Sequence, residues 1–263
     1  MTAADVRAAV RAGTIAGPTE RLAPEHVQAN FVVVPRAYAD ELADLCARNP
    51  VPCPLLEQLA SGAFEPKCAP RADLRTDLGR YRVWRDGELA EQPRDVRALW
   101  SDDVVAFLIG CSFTFDHALA QAGLVPRHYA LDRNVPMYRT RVPLAPAGRL
   151  HGTMVVSMRP YKAHEVERVC AVTRPYRIGH GEPVAWGDPS ALGIADLVHP
   201  DYGDPPLLEP GDVPVFWGCG VTPQSVIVAS RLPFAITHEP GHMFVTDLVH
   251  DALAARPESV RAS

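Results

Sequence analysis

Two cysteines and two histidines hold the groups in this 263-residue chain best suited to moving a proton or meeting an anion. Cys219 lies in PVFWGCGVTPQSVIV, where an apolar strand runs into Gly218-Cys219-Gly220 and then Thr222-Pro223. Threonine followed by proline reads as the N-cap and first position of a helix. The free amides of such a helix start attract anions, so this joint could dock a carboxylate. The pattern occurs twice. FLIGCSFTFDHAL (Phe107–Leu119) aligns without gaps on VFWGCGVTPQSVI (Val215–Ile227), matching Gly110-Cys111 to Gly218-Cys219 and Thr114 to Thr222. Two strand-Gly-Cys-helix units with converging helix starts would form one pocket. The competing reading is that both joints need glycine for geometry alone and that both cysteines are small buried fillers.

His238 and His242 flank a turn in ITHEPGHMFVTD, with Asp247 five residues further on. Imidazole titrates near neutral pH and suits acid–base work. Pro240-Gly241 between the histidines excludes the helical i, i+4 metal pair. A turn could still bring both to one ion with Asp247 and His180; hydrogen bonds that tie the turn down are the structural alternative. The strand ending at His238 is expected to return beside the strand of Cys219 through a parallel crossover, which would place both at one sheet edge.

The elements that must hold these groups are short and alternate along the chain. Asp5–Arg11 reads as a helix, Val27–Pro35 as a strand and Arg36–Arg48 as an amphipathic helix. Arg80–Arg85 alternates like a half-exposed strand before the Asp86-Gly87 turn. Val104–Gly110 is a strand, followed by a helix capped by Ser112 or Thr114. Val135–Val142 is extended, Leu150–Pro160 is a strand and Lys162–Thr173 a helix. The alanine-rich tail after Asp247 is expected to fray. The 26 prolines are spread throughout and argue against a helical bundle. The expected fold is α/β, with mixed α+β as the variant: a compact mixed sheet with flanking helices. Residues 1–263 are read as one domain, since no linker or low-complexity run interrupts them.

Composition narrows the partners. Net charge is −5 without a basic stripe, so neither nucleic acid nor an anionic membrane is expected. The N-terminus lacks an apolar signal core and no run reaches membrane-spanning length; a cytoplasmic protein with free thiols is expected. No P-loop and no strand–GxGxxG–helix context occurs, so no cofactor is expected, and no metal. A homo-oligomer is allowed.

With these blocks in view, the chain resembles the D-glutamate cyclase family, whose bacterial members are mostly labelled hydro-lyases. The resemblance is carried by VQAN (Val27–Asn30), RNPVPCPLL (Arg48–Leu56), LRTDL (Leu74–Leu78), DDVVAFLIGCSFTF (Asp102–Phe115), NVPMYRT (Asn134–Thr140), VVSMRP (Val155–Pro160), PVFWGCGVTPQ (Pro214–Gln224) and ITHEPGHMFVTD (Ile236–Asp247). It implies a lyase that removes or adds water on a small amino or hydroxy acid, as in closure of D-glutamate to 5-oxo-D-proline. The chain departs from the family at Asp116 (usually Glu), Ala185 (usually His), and Glu182 and Glu239 (usually Ala).

Ring closure needs a base, an acid, donors for a developing oxyanion and a cation for the other carboxylate. The donors expected are the main chain around Cys111 and Cys219, with Thr222 and Gln224. Either thiol could shuttle protons if a helix start lowers its pKa. Arg159, at the end of an apolar strand, and Arg139 are the candidate carboxylate clamps. His238, His242 and Asp247 are the candidate acid and base, and Asn134, Tyr138 and His180 the candidate pocket lining. A metal-assisted hydrolase built on His238, His242 and Asp247, and a non-catalytic binding protein for a small carboxylate, are the rival readings.

Overall fold

The computed structural model describes residues 1–250; most of the alanine-rich tail lies outside the described residues. In chain order the principal elements are α1 (Ala3–Arg11), β1 (His26–Pro35), α2 (Ala39–Arg48), β2 (Leu55–Gln58), β3 (Tyr81–Arg85), β4 (Glu88–Glu91) and β5 (Val104–Gly110). They continue as α3 (Phe113–Gln121), α4 (Arg127–Ala130), β6 (Met137–Pro143), β7 (Thr153–Lys162), α5 (Val166–Thr173) and β8 (Ala185–Trp186). The last four are β9 (Asp212–Gly218), α6 (Thr222–Ser230), β10 (Ala235–His238) and β11 (Phe244–Val249). Strands and flanking helices mix as expected, and every strand pairing is antiparallel. One sheet runs β2-β5-β1-β10-β3-β4, with β11 also paired to β1; the other runs β6-β7-β9-β8.

Period-two patterning explains how the sheets stack. In β1, Val32 and Val34 face one cluster while Phe31 and Val33 face another; β5 splits the same way, Phe107 and Ile109 against Ala106 and Leu108. Val32 and Phe107 meet Val156 and Met158 of β7 and Phe216 of β9, so the largest core lies between the sheets and is closed by Leu42 and Leu45 of α2 and Val226 and Ile227 of α6. The outer face of the smaller sheet carries Val215 and Trp217, covered by Phe115 and Leu119 of α3 and Val169 of α5.

Two expectations fail here. β9 and β10 belong to different sheets, so no parallel crossover joins them. α6 sets off from the smaller sheet, and β10 crosses to the larger one, where its apolar residues pair with β1 and β3. Nor do side chains cap the helices that follow the cysteines: Ser112 and Val221 occupy the N-cap positions without a side-chain bond. Thr222 Oγ1 instead donates to the Cys219 carbonyl (2.6 Å) and accepts from Val155 N–H (3.0 Å).

The glycines of the paired units are needed for closeness, not for unusual angles. Neither Gly110 nor Gly220 has positive φ. A Cβ on Gly110 would fall inside the Ile178 carbonyl oxygen, and one on Gly220 would overlap the Asn30 side-chain amide. Gly110→Ala should therefore lower the melting temperature by roughly 10 °C or more or prevent folding, since main-chain atoms must shift. Gly17→Ala, at a site with open space, should melt within about 2 °C of the parent. Paired thermal melts check both.

Candidate functional site

The two Gly-Cys joints meet. Cys111 and Cys219 share one buried apolar cluster with Phe113, Val135, Met137, Val155, Tyr202, Val221 and Met243. Each cysteine carbonyl accepts the N–H of the threonine three residues on, Thr114 (3.1 Å) and Thr222 (2.9 Å), so the repeat is also a repeat in hydrogen bonding. Asn30 stands between the units: its Nδ2 donates to the Gly110 carbonyl at 2.7 Å and lies against Gly220. Burial, however, pushes the Cys219 thiol up to about 11 and the Cys111 thiol well above its usual range. The expected lowering by a helix start does not occur, because desolvation of the thiolate outweighs those amides. Both thiols are protonated at neutral pH.

Other candidates reach this seam from several elements. Gly179 packs against the Cys111 carbonyl and the Thr114 side chain, which brings His180 beside the first unit. His180 Nδ1 donates to the Val51 carbonyl (2.7 Å), and the residue holds a left-handed backbone, φ 82°. His238, at the end of β10, places Nδ1 against Phe31 N–H (3.2 Å), while its carbonyl accepts from Gln224 Nε2 (3.0 Å). Asn134 Nδ2 donates to the Pro240 carbonyl (3.3 Å) and lies against Gly241. His242 Nε2 donates to the Ala16 carbonyl (3.1 Å). Burial pulls His180 and His238 down to about 4 and lowers His242 as well, so these imidazoles are neutral at pH 7.

Tyr138 and Asp247 lie elsewhere, and Arg139 meets the seam cluster only at Tyr202. Tyr138 sits in the core between the sheets and donates its hydroxyl to the Leu197 carbonyl (2.7 Å). Arg139 is half exposed and its Nη2 donates to Tyr202 Oη at 3.0 Å. Asp247 is claimed by Arg7 at 2.8 Å and ties α1 to β11. His238, His242, His180 and Asp247 do not come together at metal-ligand distance; among the described residues the group that does is Glu20, Asp116 and His128.

Arg159 heads that group. It is fully buried on the outer face of β7, its guanidinium over the rings of Phe115 (4.9 Å) and Trp217 (5.2 Å). Nε donates to Asp116 Oδ1 at 2.6 Å and Nη2 to Asp116 Oδ2, while Nη1 reaches Ser157 Oγ (3.0 Å) and Nη2 also reaches Ser112 Oγ (3.1 Å). These bonds commit Nε and Nη2 to Asp116 and Ser112, so the carboxylate that Arg159 clamps in this structure is the chain's own Asp116. His128 Nε2 stands 3.7 Å from Asp116 and 2.8 Å from Glu20. Burial would raise the Asp116 carboxyl, but Arg159 and His128 hold it well below the usual carboxylate range. Sequence reading missed Glu20 and His128. The available signals were a charged Glu20 two residues after Pro18 and a histidine inside RHYA; neither is periodic or part of a chemical motif.

Asp116→Asn would leave a buried guanidinium without its counter-charge, which should cost about 3–5 kcal/mol, read by urea unfolding at pH 7. Because the folded pKa is depressed, the carboxylate's contribution is present above its unfolded value, about 3.9, and is lost as pH falls through the folded one. The acid limb of the stability profile should therefore shrink in the variant.

With this geometry in place, known proteins place the chain. The family model described as D-glutamate cyclase matches residues 105–247, spanning both Gly-Cys units and the THEPGH turn. A protein of Bordetella petrii named "Putative hydro-lyase" is 53% identical over 254 residues, 96% of either chain. Similarly named proteins of Rhodococcus jostii (53% over 245 residues, 93% of either chain) and Stutzerimonas stutzeri (51% over 254 residues, 96% of either chain) match over nearly full length. The chain belongs to the D-glutamate cyclase family.

Proposed function

We propose that this protein is a hydro-lyase whose substrate is a small amino or hydroxy acid, and that the reaction is closure of D-glutamate to 5-oxo-D-proline with release of water. Family membership and the relatives' names support the reaction class. The observation that carries the location is a set of buried polar atoms without partners in the segments converging on the cysteines. They are Thr114 Oγ1, Asn134 Oδ1, His180 Nε2, His238 Nε2 and His242 Nδ1. Each such atom costs about 1–3 kcal/mol when left unpaired, and a ligand carrying carboxylates and an amine would satisfy several at once.

In this reading the neutral imidazoles of His180 and His238 orient the substrate by hydrogen bonding, with Asn134 and Thr114. The protonated thiols of Cys111 and Cys219 wall the site and can donate a proton but do not attack as thiolates. Gln224 and Thr222 hold the second unit in shape. Arg82, 15% exposed and paired with Glu239, is joined to the second unit through its bond to Gln224. The rival metal-assisted hydrolase loses its support, since its three ligands do not converge.

Incubating the protein with D- and L-amino and hydroxy acids and following loss of water by mass spectrometry tests the reading. D-Glutamate should lose one water; no dehydration of any acid would refute it. His238→Asn should misplace the substrate and cut turnover roughly 100-fold while the melting temperature stays within about 4 °C; full turnover in that variant would remove His238 from the mechanism.

A further inference from the structure

The reaction needs a group that both takes and returns a proton near neutral pH, and the seam does not contain one. Its imidazoles are held neutral and its thiols protonated. We propose that Glu20 and His128 form the proton-exchanging pair that serves the seam, with Asp116 and Arg159 as positioning residues; the proposal rests on the lyase reading above.

The pair is almost fully buried and in direct contact, Glu20 Oε1 to His128 Nε2 at 2.8 Å. It touches the seam on two sides. Thr19, next to Glu20, donates its N–H to the Gly241 carbonyl (2.9 Å), and its hydroxyl accepts the N–H of Met243 (2.9 Å), so Glu20 is anchored to the turn that carries His238 and His242. On the other side Asp116 and Arg159 link His128 to Ser112, the neighbour of Cys111. His128 and Asn134 both line a small, partly open cleft of about 10 Å³, with Pro136, Met158, Pro206 and Leu207. That is roughly the space one water centre needs, and in this proposal a water there relays the proton between the His128 ring and the Asn134 side.

The charged and titratable groups facing the pair are Asp116 of α3, Arg159 of β7, Tyr129 beside His128, and Arg21 near Glu20; Arg127 and Arg133 line the cavity. Burial raises the Glu20 carboxyl, while the two carboxylates outweigh burial and raise His128. Both groups are shifted upward, and because they are in direct contact at 2.8 Å they take up and release protons as one coupled pair. The same three side chains have the spacing of a metal site, but Arg159 already engages both oxygens of Asp116, so a proton fits there better than a cation.

In the ring closure the amine nitrogen forms its bond to the side-chain carboxyl carbon, and one carbon–oxygen bond of that carboxyl breaks. The pair takes protons from the nitrogen and returns them to the departing oxygen, which leaves as water. Atoms and charge balance without an oxidant, a reductant or a co-reactant.

The test compares wild type, Glu20→Gln and His128→Gln for water loss from D-glutamate, or from whichever acid the wild type dehydrates, between about pH 5 and pH 9, with melting curves alongside. Glutamine keeps the size and bonding reach of Glu20 but cannot take up the proton. We expect kcat to fall about 100-fold in each variant, KM to change little, and the limb of the pH profile due to the pair to disappear, with melting nearly unchanged in Glu20→Gln. Unchanged kcat and profile in both variants would overturn the proposal. A rate loss that tracks lost melting temperature while the profile keeps its shape would overturn it too. If the wild type dehydrates no acid, the lyase reading fails first, and this proposal falls with it.

Discussion

The desolvated ion pair between Arg159 and Asp116 is the constraint around which the outer half of the molecule is arranged. Neither side chain has access to water, and a lone charge in that position would be intolerable. The pair is therefore possible only because Ser112 and Ser157 take further guanidinium protons and Phe115 and Trp217 offer ring faces. Those requirements fix α3 over β7. Fixing α3 in turn fixes the Cys111 joint at its start, against Gly179 and Asn30. The carboxylate that Arg159 grips is the chain's own, and through Ser112 the shape of the seam depends on the pair.

The second constraint is close approach of main chains. Gly110 against the Ile178 carbonyl and Gly220 against Asn30 allow the two Gly-Cys units to come together where side chains would hold them apart. The seam thus lies where the two antiparallel sheets meet, lined by segments from both. This explains why its polar atoms are buried and its titration is suppressed. Groups placed at such a junction lose water on all sides, and each shifts toward its neutral form.

Much of this was legible in the sequence. The gapless Gly-Cys repeat pointed to two equivalent joints, and the apolar runs in Val27–Pro35 and Val104–Gly110 marked the central strands. The apolar flanks of Arg159 marked it as an inward-facing cation, though not its use. Other features were hidden for physical reasons. The partner of Arg159 is Asp116, 43 residues away, and it read only as a departure from the family pattern. Glu20 and His128 come from a loop and a four-residue helix 108 positions apart, so no spacing rule joins them. A strand–helix–strand sequence suggests a parallel crossover, and only long-range pairing to β1 and β3 reveals that β10 leaves the sheet of β9.

The Cys111–Cys219 seam is the proposed place of substrate chemistry. Nuclear magnetic resonance with the proposed product, 5-oxo-D-proline, tests it most directly. Binding at the seam should give saturable shifts of the Asn30 and Asn134 side-chain amides and the Thr114 methyl group, all at one dissociation constant. Shifts confined to the cleft lined by Val10, Phe64 and Arg94, with the seam signals unmoved at saturation, would contradict it.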